Sequence, residues 1–147
     1  MSYQILYFAY RKPGTTPAQF RAHYEERHMT KIKQMTADNF PLSHVRRYIH
    51  RTSIDPSSTN PKASERNPYT PATVLSGTQT DFDYDAIVEM TFENEDAFKV
   101  FCGILQTPEN AKWIAEDEGK FLDRQKQPPV VVLGDITSQE RDQRNGN

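Results

Sequence analysis

The sequence predicts an α+β domain, a four-stranded antiparallel sheet with helices on one face. Three observations carry this. Short apolar or alternating segments and helical patterns follow one another as strand, helix, strand, strand, helix, strand. Threonine–proline pairs open two of the helical patterns, at Thr16-Pro17 and Thr107-Pro108. A proline-bearing stretch without periodicity separates the second strand from the third, and strands take turn residues at such breaks.

Residues Tyr3 to Tyr10 are aromatic and branched, which fits a strand covered on both faces. Arg11-Lys12-Pro13-Gly14 reads as a turn. Thr16 is then an N-cap, Pro17 suits the first helical position, and Gln19 closes a capping box. Phe20, Tyr24, His28 and Ile32 recur four apart, with Met35 near the same angle, so they form one stripe. A histidine inside that stripe is commonly a core residue with one satisfied hydrogen bond. If the stripe borders a cavity, His28 is instead an acid or base. The helix is expected to end between Met35 and Phe40.

Ser43 to Arg51 is the second strand, with His44, Arg46, Tyr48 and His50 on one face. That face is open to water or lines a polar-tipped pocket. Residues 53–80 form a long loop holding Pro56, Pro61, Pro68 and Pro71, a solvated insertion or a binding loop. Asp83 to Phe92 is the third strand: Tyr84, Ala86, Val88, Met90 and Phe92 share one face, Asp85, Ile87 and Glu89 the other. Asn94 caps a helix whose stripe is Phe98, Phe101, Cys102 and Leu105. A short helix follows Thr107, with Trp113 and Ile114 as apolar contacts and an acidic cluster at Glu116-Asp117-Glu118; it stops at Gly119 or is extended by Phe121 and Leu122. Pro128 to Ile136 is the fourth strand, and 138–147 a frayed tail after a domain of 1–137.

This order is the split βαβ, ferredoxin-like arrangement. Strand 1 is apolar on both sides, so one sheet face would stay exposed in a monomer. A two-fold homodimer with a barrel between the two sheets would cover it.

At 147 residues the chain fits one domain, and 35% hydrophobic content is low for a lone globule, which also suits a dimer or a long solvated loop. A net charge of −2 with scattered basic residues argues against nucleic acid and acidic membranes as partners. A single cysteine, Cys102, excludes an internal disulfide and any multi-cysteine metal site. The N-terminus lacks a charged region before its apolar stretch, and no segment is long enough to span a bilayer. A soluble, cytoplasmic protein is the expectation.

Phe20-x-x-His23-Tyr24-x-x-x-His28 on the first helix and Tyr84-Asp85-Ala86-Ile87-Val88-Glu89 on the third strand resemble the EthD-domain proteins of the dimeric α+β barrel superfamily. Asp117-Glu118-Gly119-Lys120-Phe121-Leu122-Asp123, leading to Val130-Val131-Val132, is similar to that family's closing segment. The resemblance spans most of Tyr3 to Ile136 apart from the long loop. It implies a small tailoring enzyme of aromatic polyketide pathways, as in fungal members assigned to decarboxylation of anthrone-type acids, dehydration or cyclisation. It also implies no metal or organic cofactor, and puts most weight on His28 and Asp85. The family's namesake belongs to an ether-degradation system, so membership alone does not fix the reaction.

The residues themselves argue against a metal site. His44 and His50 are six apart on a strand, roughly 20 Å. His23 and His28 are five apart on a helix and are expected to point away from each other. No nucleophile elbow, phosphate loop or dinucleotide fingerprint is present. General acid–base chemistry remains, with His28, Asp85, His44, Tyr48 and His50 as candidate catalytic groups. Tyr7, Tyr24, Tyr84 and Phe92 are candidate aromatic walls for a flat phenolic substrate, and Arg46 a holder for its carboxylate or a developing enolate. Asp85 or a tyrosine would orient His28. Two further classes stay open: a cofactor-independent monooxygenase acting on anthrones, and a small-molecule binding protein without turnover.

Overall fold

The structure is a computed structural model that describes residues 2–57 and 63–143. Residues 58–62 of the long loop and 144–147 of the expected tail lie outside the described residues.

Strands β1 (Tyr3–Ala9), β2 (Ser43–Tyr48), β3 (Ala86–Phe92) and β4 (Val130–Val132) form one sheet in the order β2-β3-β1-β4. Every pairing is antiparallel, as the split βαβ order requires. Tyr7 lies opposite Val88 on one side and Val130 on the other, and Val88 in turn lies opposite Arg46.

Three helices cover one face. Helix α1 spans 17–36 in three joined pieces: α-helical Pro17–His23, a wide π-helical turn Tyr24–His28, and α-helical Met29–Thr36. Its capping box forms as the sequence predicts. The Gln19 amide donates to Thr16 Oγ1 at 3.0 Å, and the Thr16 amide to Gln19 Oε1 at 2.9 Å. Helix α2 (Glu95–Leu105) starts at the predicted Asn94 cap, whose Oδ1 accepts from the Ala97 amide at 2.8 Å. Helix α3 (Pro108–Phe121) takes the longer of the two lengths the sequence allows, because Gly119 stays in ordinary helical geometry and does not end it.

Ile5 and Ala9 of β1 and Ala86, Val88, Met90 and Phe92 of β3 are buried beneath the helices. Phe20, Tyr24 and Ile32 of α1, Phe101 of α2 and Phe121 of α3 meet them. The opposite sheet face has no cover among the described residues: Val45 and Val131 are exposed beside half-buried Leu6, Phe8 and Ile87.

Three strands are shorter than the sequence reading by more than one residue. β2 ends at Tyr48, so His50 lies beyond it and is exposed. β3 begins at Ala86, so Tyr84 and Asp85 precede the ladder. β4 is three residues on the sheet edge, paired to β1 alone.

The described part of the long loop is fastened to the body. An isolated bridge joins Arg51 to Ala72, and the amides of Thr52 and Ile54 donate to the carbonyls of Pro71 and Tyr69. Asn67, 1% exposed, accepts from Arg11 Nη2 at 2.7 Å and donates to Asp83. No helix among the described residues is long and apolar enough to cross a membrane.

Candidate functional site

A cavity of about 530 Å³ lies between the sheet and the three helices. That volume falls within the range of small-molecule sites. Tyr7, His44 and Met90 form its sheet side, Tyr24, His28 and Ile32 its α1 side. Phe101 and Cys102 of α2 and Glu118 and Phe121 of α3 close it. Tyr10, Arg124 and Lys126 stand among the residues at its opening.

His28 is buried in this wall. Its Nδ1 lies 2.9 Å from Asp117 Oδ2, and the other oxygen of Asp117 lies 2.9 Å from His23 Nε2. The expectation that residues five apart would diverge is corrected here, and the wide turn is the reason. In a regular α-helix they would be separated by roughly 140° around the axis. The Tyr24 carbonyl instead accepts from the Met29 amide, five residues on, so the turn is wider and both rings reach one carboxylate. Aromatic neighbours fix the rings. His23 stacks on Phe121 with centroids 4.7 Å apart, and His28 sits 4.9 Å from the same ring and 6.1 Å from Trp113.

Burial is the main cause that lowers the His28 pKa below the usual histidine value; Asp117 opposes the shift and the His23 ring adds to it. Neutral His28 donates Nδ1–H to Asp117 and keeps Nε2 for a ligand. Beside it, the Tyr7 and Tyr24 hydroxyls are 2.6 Å apart. One hydrogen is used between them, which leaves one to donate into the cavity. Burial pushes Tyr7 up to about 12 and Tyr24 well above its ordinary value, so both remain hydrogen-bond donors. Burial also raises the Glu118 pKa, with Arg124 opposing it.

His44 is also in the cavity wall. Its Nδ1 lies 2.7 Å from Arg46 Nη1 and accepts from it. Burial first, and the Arg46 charge second, lower its pKa to about 3, so it stays neutral. Arg46 does not line the cavity. Its Nε and Nη2 grip Glu25 at 2.7 and 2.9 Å, and Tyr48 donates to the same carboxylate at 2.6 Å. The roles expected for Arg46 as carboxylate holder and Tyr48 as proton donor are therefore replaced by a closed ion-pair cluster. The hydrogen bond from Arg46 lowers the Glu25 pKa.

Asp85 requires a similar correction. It lies 4% exposed between two arginines, 2.7 Å from Arg51 Nε and 3.3 Å from Arg11 Nε. The Arg11 approach is an ion pair without hydrogen-bond alignment. Asp85 faces a second, smaller hollow together with His50 and Tyr48, and neither Asp85 nor His50 reaches the cavity of His28. Tyr84 packs on Phe8 at 4.6 Å and lines neither space. Phe92 is core, against Phe98 and Phe101. Of the candidate residues, the structure brings together His28, His44, Tyr7 and Tyr24.

Sequence reasoning missed Asp117 and Glu118, which it read as part of an acidic cluster. The signal was present: Trp113, Asp117 and Phe121 recur four apart, the same pattern that singled out His28. Among the described residues no group of three histidine, cysteine, aspartate or glutamate side chains is arranged to hold a metal ion. Each Asp117 oxygen is turned to a different ring.

The chain is similar in structure to an EthD-like protein from Ralstonia eutropha, with TM-score 0.51, 11% identity and coverage of 94% of this chain and 95% of that one. At that identity the likeness bears on the fold alone. A hypothetical protein from Arabidopsis thaliana (TM-score 0.48, 14% identity, 94% and 91% covered) and an EthD family protein from Bacillus halodurans (0.45, 13%, 92% and 99%) also match. Among curated proteins none matches the sequence. The EthD domain profile matches residues 12–125, most of the chain and all of helix α1 with its histidine pair, and the protein belongs to the EthD domain family.

Proposed function

We propose that this protein is a cofactor-independent lyase that decarboxylates, or dehydrates and cyclises, an aromatic polyketide-type acid, with His28 as the acid–base. The observation that carries the reading is a buried imidazole in the wall of a ligand-sized cavity, its Nδ1 tied to a buried carboxylate. In decarboxylation the electrons of the breaking C–C bond pass into the ring and its oxygen. The free hydroxyl hydrogen of the Tyr7–Tyr24 pair would meet that oxygen. Neutral His28 takes the proton of the substrate's carboxyl group on Nε2 and delivers it to the ring carbon as carbon dioxide leaves, which returns the imidazole to its neutral form. In dehydration, neutral His28 takes a proton next to a carbonyl and the imidazolium returns it to the departing hydroxyl. Phe101 and Phe121 give the cavity flat apolar walls suited to such a substrate.

The test is incubation with anthrone- and anthraquinone-type carboxylic acids, followed by mass spectrometry. Loss of carbon dioxide or of water supports the reading. Gain of one oxygen atom would assign a monooxygenase, and an acid bound but recovered unchanged a binding protein. His28→Ala is expected to fold and to lose roughly 10²–10⁴-fold in turnover, the usual contribution of a positioned acid–base. Near-normal turnover in that variant would remove His28 from the mechanism.

The proposal includes a second copy of the chain on the open sheet face, where Val45 and Val131 are exposed. Sedimentation of a clean monomer at micromolar concentration would overturn this part.

A further inference from the structure

We infer that His23 is a positioning residue for His28, acting through the Asp117 carboxylate that the two rings share. This rests on the reading of His28 as the acid–base and adds the device that sets its readiness.

An ordinary histidine–aspartate pair gives the whole negative charge to one ring and so favours its imidazolium form. Here one carboxylate serves two rings at equal distances of 2.9 Å. A single negative charge fully offsets only one imidazolium, and a second would face the repulsion of the first. The two rings therefore compete for one proton. Their settings differ: the His28 side chain is 11% exposed and that of His23 15%, while Asp117 between them is 5% exposed. Of the two rings only His28 lines the cavity, and its Nε2 is left free there.

Other groups near His28 are in place on each element that packs against it. Glu118 and Asp117 lie on α3, His44 on β2 and the Tyr24 hydroxyl on α1; Lys31 sits over the Trp113 ring at 5.8 Å. None of these except Asp117 is hydrogen-bonded to His28 among the described residues, so the His23 contribution can be separated by substitution.

The experiment follows the ring nitrogens of His28 by NMR across a pH titration, in full-length protein labelled with ¹⁵N-histidine. His23→Phe can keep the stack on Phe121 and removes both the hydrogen bond and the charge. It should raise the His28 midpoint by about half to one pH unit, a three- to tenfold gain in proton affinity. In an Asp117→Asn background the same substitution should change it less than about twofold. His23→Gln, which can still donate to Asp117 but carries no charge, should fall between wild type and His23→Phe, and serves if the phenylalanine variant does not fold. An unchanged His28 midpoint in both His23 variants, or an equal shift with and without Asp117, overturns the inference. Turnover plays no part in this readout, so a failed lyase assignment and a failed role for His23 give different results.

Discussion

Two buried aspartates, each held by two basic side chains, behave as opposites. Asp85 lies between Arg11 and Arg51 just before the inner strand β3, and Asp117 between His23 and His28 beside the cavity. A guanidinium does not give up its proton in a protein, so the Asp85 cluster is a fixed clamp. Arg51 uses its remaining donors on the carbonyls of Thr70, Phe82 and Tyr84, which ties the long loop and the entry to β3 into one unit. An imidazole can be charged or neutral near pH 7, so the Asp117 cluster has more than one protonation state available. Burial and a carboxylate are common to both; the partner decides whether the site is a brace or a proton-handling device.

The largest way to expose this difference is Asp85→Ala, which leaves two buried arginines without their counter-charge. It is expected to cost about 3–5 kcal/mol, read as a fall in the urea midpoint. Asp117→Ala should cost less, about 1–3 kcal/mol, because its imidazole partners can turn neutral and lose only hydrogen bonds. Equal losses in the two variants would erase the distinction. The smallest effect is a slope. His28 and His44 are both held neutral below the usual histidine value of 6.5, His44 down to about 3, in each case chiefly by burial. The unfolded chain takes up protons that the folded chain refuses. Stability should therefore be unaffected by these rings above pH 6.5 and fall as pH drops toward the folded values, by about 1.4 kcal/mol per pH unit for each proton withheld. His44→Gln should flatten that slope, whereas the arginines around Asp85 contribute nothing to it.

The element order, the Thr16 capping box and the apolar stripes of α1 and α2 were legible in the sequence because each is a short-range pattern. His28 was legible for the same reason, as a polar ring at a buried helical position. Asp117 carried an equivalent signal, but neighbouring Glu116 and Glu118 disguised it as a solvated acidic run. Asp85 entered the site through the family resemblance, and its partners could not be seen: Arg11 and Arg51 are 74 and 34 residues away, and a local sequence pattern does not report ion pairs across the chain. Arg46 was misread similarly, since Glu25 claims it from the helix above. The wide turn in α1 left no mark in residue types, because any helix-forming residue tolerates it.

Spacing in α1 matters as much as identity. The wide turn takes up one more residue than a regular turn, so it brings residues five apart to the angle that residues four apart have in a regular helix. Removing one residue between His23 and His28 would close that turn and still leave both rings on one face. One more residue carried in regular geometry would instead swing His28 about 100° away from His23, with every reactive side chain still present but the shared carboxylate lost.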